Sequence, residues 1–150
     1  MATKGQLSGM RGVYLVAAEL SKLGYIASPT SRSAKAADIL VTDQACKRAY
    51  SVQVKTNSSE TSYWLVGADA KRTHSPTHIY VFVALRAKDP KVSFFVVPSQ
   101  FVAEHTYEER FGDGVWYSFT SQDAAPFENQ WAEHFGPSIV TSMEDEAPAS

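Results

Sequence analysis

An α/β domain, with a central mixed β-sheet flanked by helices, is what this sequence predicts, on three observations. Near the N-terminus, apolar residues Met10, Val13, Tyr14, Ala17, Leu20 and Leu23 recur at three- and four-residue steps, the period of an amphipathic helix. The middle of the chain is a succession of short runs rich in β-branched and aromatic residues, "DILVT", "AYSVQVKT", "SYWLVG", "THIYVFVAL" and "VSFFVVP". After Pro98 a helical pattern returns in "SQFVAEHTYEERFG". Helix, several strands, then helix is the order of a sheet with helices packed on it.

The first helix covers residues 8–23 and is stopped by Gly24 as C-cap. A short strand follows at residues 25–28, then a loop of Ser, Ala and basic residues, "PTSRSAKAA". "DILVT" and "AYSVQVKT" are separated by a polar turn and predict an antiparallel hairpin. "THIYVFVAL" and "VSFFVVP" have the composition of central strands. The helix that begins at Pro98 and Ser99 is expected to run to Gly112, "VWYSFT" to form an edge strand, and "PFENQWAEHFG" a last short helix. Residues 1–140 read as one domain, and residues 141–150, acidic and poor in bulky apolar groups, as a disordered tail.

Composition narrows the function classes. The 150 residues are 44% hydrophobic and 20% charged, ordinary for one globular domain able to bury a core. The longest apolar stretch, Ile79 to Leu85, is far short of the roughly 20 residues a membrane helix needs. The N-terminal residues carry no apolar segment of a secretory signal, and the single Cys46 forms no internal disulfide. Both fit the cytoplasm, with no membrane partner. Net charge is −2, which argues against a strongly basic nucleic-acid binder. Residues 1–55 nevertheless hold eight Lys or Arg against three Asp or Glu, and the remainder six against thirteen. The basic half is compatible with a local phosphate-neutralising patch.

One strand poses a chemical question. In "AYSVQVKT", Val52 and Val54 point one way while Ser51, Gln53 and Lys55 point the other. Asp38 opens the preceding strand, so pairing the two strands brings an acid, an amide oxygen and an ammonium group to one end of the sheet. Hydrolysis of a phosphodiester needs this set: oxygen ligands for a hard cation, and a second cation to orient water or to stabilise developing charge. The plain structural alternative is that Gln53 satisfies backbone groups at the sheet end while Lys55 pairs with Asp38.

The run "GVYLVAAELSKLGYIAS…AADILVTD…YSVQVKT" resembles the PD-(D/E)xK nuclease superfamily, whose restriction-endonuclease-like fold is shared by restriction enzymes and Holliday junction resolvases. The resemblance spans about residues 8–100 and extends to small bacterial members of that superfamily. It implies a metal-dependent DNA endonuclease, often dimeric, using Mg²⁺ or Mn²⁺. By it Asp38 is the metal-binding aspartate, Gln53 stands where most members carry a second acid, the Val54 carbonyl is a further ligand and Lys55 is the catalytic lysine. Two departures weaken the cation site: Gln53 is a neutral amide, and Val13 occupies the place of a helix glutamate in "GEY". Glu19, about 240° further around the helix, does not replace it. One formal negative charge then faces the ion, which implies weak affinity. The competing reading is a catalytically silent module of the same fold that holds nucleic acid or a protein partner.

Other residues carry less. Arg32 and Lys35, in the loop before Asp38, are candidates to hold a phosphate, or are simply solvated. His74 and His78 have H-x3-H spacing but straddle Pro76, as surface histidines do. His105 and His134 fall on helices without an assigned role. Tyr63 and Trp64 either stack on an unpaired base or alternate between surface and core. Trp116 and Trp131 are expected to anchor the C-terminal elements.

Overall fold

The computed structural model describes residues 1–31 and 35–136. Helix α1 (Lys4–Lys22) begins one turn earlier than the apolar period predicts, because Thr3 and Gln6 form a reciprocal capping box. Its buried face is Gly12, Val16 and Leu20; Tyr14, expected in the core, is 59% exposed. Burying side chains such as Val16 and Leu20 stabilises the fold by roughly 1.5–3 kcal/mol each. Gly12 lets the helix approach the sheet, since a Cβ there would overlap the side chain of Thr56.

Strands β1 (Ile26–Pro29), β2 (Ile39–Thr42), β3 (Ala49–Asn57), β5 (His78–Ala84) and β6 (Ser93–Pro98) form a sheet in the order β1-β2-β3-β5-β6. The β2–β3 hairpin is antiparallel with Ile39 opposite Val52, as predicted. The β3–β5 pair is parallel and the others antiparallel, which makes the sheet mixed.

The crossover between β3 and β5 carries β4 (Tyr63–Val66), which leaves the main sheet and joins a second one of order β4-β8-β7, with β7 at Tyr107–Phe111 and β8 at Gly114–Thr120. Two expectations are corrected here. Helix α2 is only Ser99–His105, and the residues expected to extend it, "TYEERF", turn into β7. "VWYSFT" is accordingly the middle strand of three rather than an edge. The Gly112–Asp113 turn, with Gly112 at φ +58°, folds Phe111 back opposite Gly114, and cross-strand pairing outweighs the helix propensity of two glutamates.

Two cores result. One, between the main sheet and α1, holds Val16, Leu20, Ile39, Val52 and Val81, closed at one end by Trp131 and Phe135 of α4 (Trp131–Phe135). The other lies between the opposite face and the second sheet and holds Trp64, Tyr80, Phe82, Val97 and Phe119. Phe82 stacks on Phe119 at 4.6 Å, and Trp64 donates its indole N–H to the Val83 carbonyl at 3.0 Å. Trp131 anchors the C-terminal part as expected, whereas Trp116 is 50% exposed and anchors nothing. Helix α3 (Ser121–Ala124) follows β8, capped by the Thr120 hydroxyl. Arg32 and the acidic residues 141–150 lie outside the described residues.

Candidate functional site

Unequal strand lengths create the site. β2 covers β3 only as far as Val52, while β3 runs on to Asn57. Beyond that point the edge of β3 facing β2 would have unmet backbone groups, and Asp38, the residue just before β2, reaches into the gap. Its backbone is held from both sides: its N–H donates to the Val52 carbonyl at 2.8 Å, and its own carbonyl accepts from Thr30 N–H at 2.9 Å. Its carboxylate Oδ2 accepts from Val54 N–H at 2.8 Å and from Gln53 Nε2 at 2.9 Å.

Asp38, Gln53 and Lys55 therefore converge, as their spacing predicts, in an open cleft of about 440 Å³. Gln53 does satisfy a polar group, but that group is the Asp38 carboxylate. The alternative ion pair between Lys55 and Asp38 is not formed: among the described residues Lys55 is half-buried and has no carboxylate partner. The far wall is the N-terminal half of α1, with Gln6, Gly9, Met10, Val13 and Tyr14. Val13 thus faces the same cleft as Asp38, and it presents methyl groups there. Pro29, Thr30 and Ser31 close a third side. Lys35 is exposed and does not line the cleft.

Donor chemistry decides what this cleft can hold. Asp38 Oδ1 and Gln53 Oε1 accept no hydrogen bond among the described residues. In a strand the N–H and C=O of one residue leave the same edge, so the Val54 carbonyl faces the Asp38 side with its N–H. A carboxylate, an amide and a peptide oxygen are donor types that a hard cation such as Mg²⁺ takes alongside several waters. Among the described residues no group of three or more His, Cys, Asp or Glu could hold a metal. The phenol of Tyr80, opposite Gln53 on β5, is pushed up to about 12 by burial first and then by the negative charges of Asp69 and Asp38. Tyr80 therefore keeps its proton near neutrality.

The histidines divide. His74 is exposed, as predicted, but His78 is a core residue at 5% exposure, bonded through Nδ1 to the Ser51 hydroxyl at 2.7 Å. Burial lowers its pKa. His105 stacks on Phe101, and His134 lies half-buried on α4. Tyr63 and Trp64 alternate, exposed and buried, as strand geometry requires. Sequence reasoning missed Gln6, Met10 and Tyr14 as cleft residues. The signal was present: they sit at four-residue steps beside the buried stripe Gly12, Val16 and Leu20, on a neighbouring face of α1.

No protein-family model matches the sequence, and no curated protein matches it. Among solved structures, the fold is similar to that of Hjc, a Holliday junction resolvase from the archaeal hyperthermophile Archaeoglobus fulgidus. The two agree with a TM-score of 0.56 at 16% identity, over 86% of this chain and 96% of that one. The chain has the restriction-endonuclease-like fold, a mixed sheet with helices packed on it.

Proposed function

We propose that the cleft at the start of β2 hydrolyses phosphodiester bonds in DNA with the help of Mg²⁺ or Mn²⁺. The observation that carries this reading is the convergence of Asp38, Gln53, the Val54 peptide and a Lys55 that has no carboxylate partner among the described residues, in one open cleft on a nuclease-type fold. Asp38 Oδ1, Gln53 Oε1 and the Val54 carbonyl are the groups that would hold the cation. Such a cation, when bound, supplies Lewis-acid polarisation of the phosphate and a water of lowered pKa. Lys55 supplies the protein's own positive charge: its ammonium group holds a non-bridging phosphate oxygen or orients the attacking water. Arg32 and Lys35 are proposed to hold the flanking phosphate backbone. A homodimer acting in the cytoplasm would offer one cleft to each strand of its DNA substrate.

A second reading is favoured by a specific contact. The Gln53 amide already occupies one oxygen of Asp38 without any cation, and Val13 adds a wall without charge, so the same cleft suits a catalytically silent DNA-binding or protein-binding module. The test is incubation of supercoiled plasmid and of a four-way DNA junction with the purified chain in Mg²⁺ and in Mn²⁺. The enzyme reading expects nicking that disappears in Asp38→Ala and Lys55→Ala, with circular dichroism unchanged. Absence of cleavage in both metals, with salt-sensitive DNA binding retained, establishes the silent module instead.

A further inference from the structure

The second sheet buries one face through Trp64 and Val66 of β4 and Phe119 of β8, and leaves the other bare. Strand alternation puts Tyr63 and Leu65 of β4, Trp116, Ser118 and Thr120 of β8, and Tyr107, Glu109 and Phe111 of β7 on that outer face. They line one groove of about 420 Å³. Tyr107, Phe111 and Trp116 are each at least half exposed, although aromatic rings of this size usually bury themselves. Among the described residues Glu109 is the only charged side chain lining the groove. It lies directly opposite Trp116 across the β7–β8 pair and two residues from both Tyr107 and Phe111. The Trp116 indole is set over bare backbone, its Nε1 3.7 Å from where a Cβ on Gly114 would stand.

The neighbouring charges point elsewhere. Glu108 and Arg110 alternate to the other side of β7, and Glu108 pairs with Lys71 at 3.4 Å. Among the described residues no cation pairs with Glu109. A carboxylate surrounded by aromatic faces is complementary to a cation that is itself partly apolar. A guanidinium suits it best, because it stacks flat on an indole while donating a fork of hydrogen bonds to a carboxylate. Phosphate backbones are disfavoured on the same face by the lone negative charge.

We propose that this face docks a basic polypeptide segment, with an arginine seated against Trp116 and bonded to Glu109. The surface is separate from the Asp38 cleft, and the inference stands whether or not that cleft cuts DNA. The test is a ¹H–¹⁵N titration of the full chain with the peptide acetyl-Gly-Arg-Gly-Arg-Gly-amide and with its citrulline counterpart, which keeps the shape and loses the charge. The Trp116 indole signal, assigned by its loss in Trp116→Phe, should move with the arginine peptide, while those of buried Trp64 and Trp131 stay still. Citrulline should bind at least about tenfold more weakly, and Glu109→Gln should weaken the arginine peptide about tenfold without altering the melting temperature. Equal binding of the two peptides, or no movement of Trp116, overturns the proposal. So does oligothymidylate moving the same signal, or a dimer in sedimentation that Trp116→Ala converts to monomer.

Discussion

The two sheets of this molecule solve opposite problems. In the main sheet, six of the seven residues of β5 are buried, and the strand is covered on both faces. In the second sheet, all five residues of β7 are exposed. The first is a scaffold in which the start of β2 at Ile39, short of the end of β3, opens a polar cleft. The second is a thin cover that seals a core with one face and displays aromatic rings on the other. Stability and the polar cleft are therefore concentrated in the first, and exposed aromatic surface in the second.

The sharpest test of that contrast replaces Phe82, which has no exposure and stacks on Phe119 across the two sheets. Phe82→Ala should lower unfolding free energy by about 3–5 kcal/mol, read from urea denaturation, because it leaves a cavity between them. Next comes the cleft. Gln53→Glu removes the bond from Gln53 Nε2 to Asp38 and sets two carboxylates together, so it should destabilise the metal-free protein by about 1–3 kcal/mol. Added Mn²⁺ should recover that loss. Indifference to Mn²⁺ would mean that the cleft's oxygens do not meet at one cation.

A subtler effect belongs to His78. Burial lowers its folded pKa below the unfolded value near 6.5, so the unfolded chain takes up the proton first as pH falls. Stability should be fully present above that value and decline as pH drops below it. His134, lowered by burial in the same direction, adds to the decline. In His78→Gln the slope of denaturation midpoint against pH between 7.5 and 5.5 should flatten. The smallest effect is on the display face: Phe111→Ser, at a position 61% exposed, should change stability by no more than about 0.5 kcal/mol. A larger loss would show that the bare face is part of the fold's support.

The same contrast governs what the sequence could tell. Strands buried on both faces are near-continuous apolar runs, so β5 and β6 stand out from composition alone. The Asp38, Gln53 and Lys55 cluster was legible because strand alternation and hairpin pairing are local rules. β7 was not, since "TYEERF" carries the charges of a helix end and becomes a strand only through pairing with β8. His78 reads as a surface residue because its burial rests on Ser51 of the neighbouring strand and on the Tyr80 ring, contacts that no local pattern announces. Tyr14 looked like core because its spacing fits a helical stripe; the stripe is split between the core and the cleft wall.

A calorimetric titration of Mn²⁺ into the metal-free protein and into Asp38→Asn tests the cation site at Asp38 most directly. The asparagine keeps an oxygen for Val54 N–H, so the fold survives while the charge is lost. Saturable Mn²⁺ binding in the wild type that disappears in Asp38→Asn is the predicted result. No binding to the wild type, or equal binding to both proteins, would contradict a cation site at the start of β2.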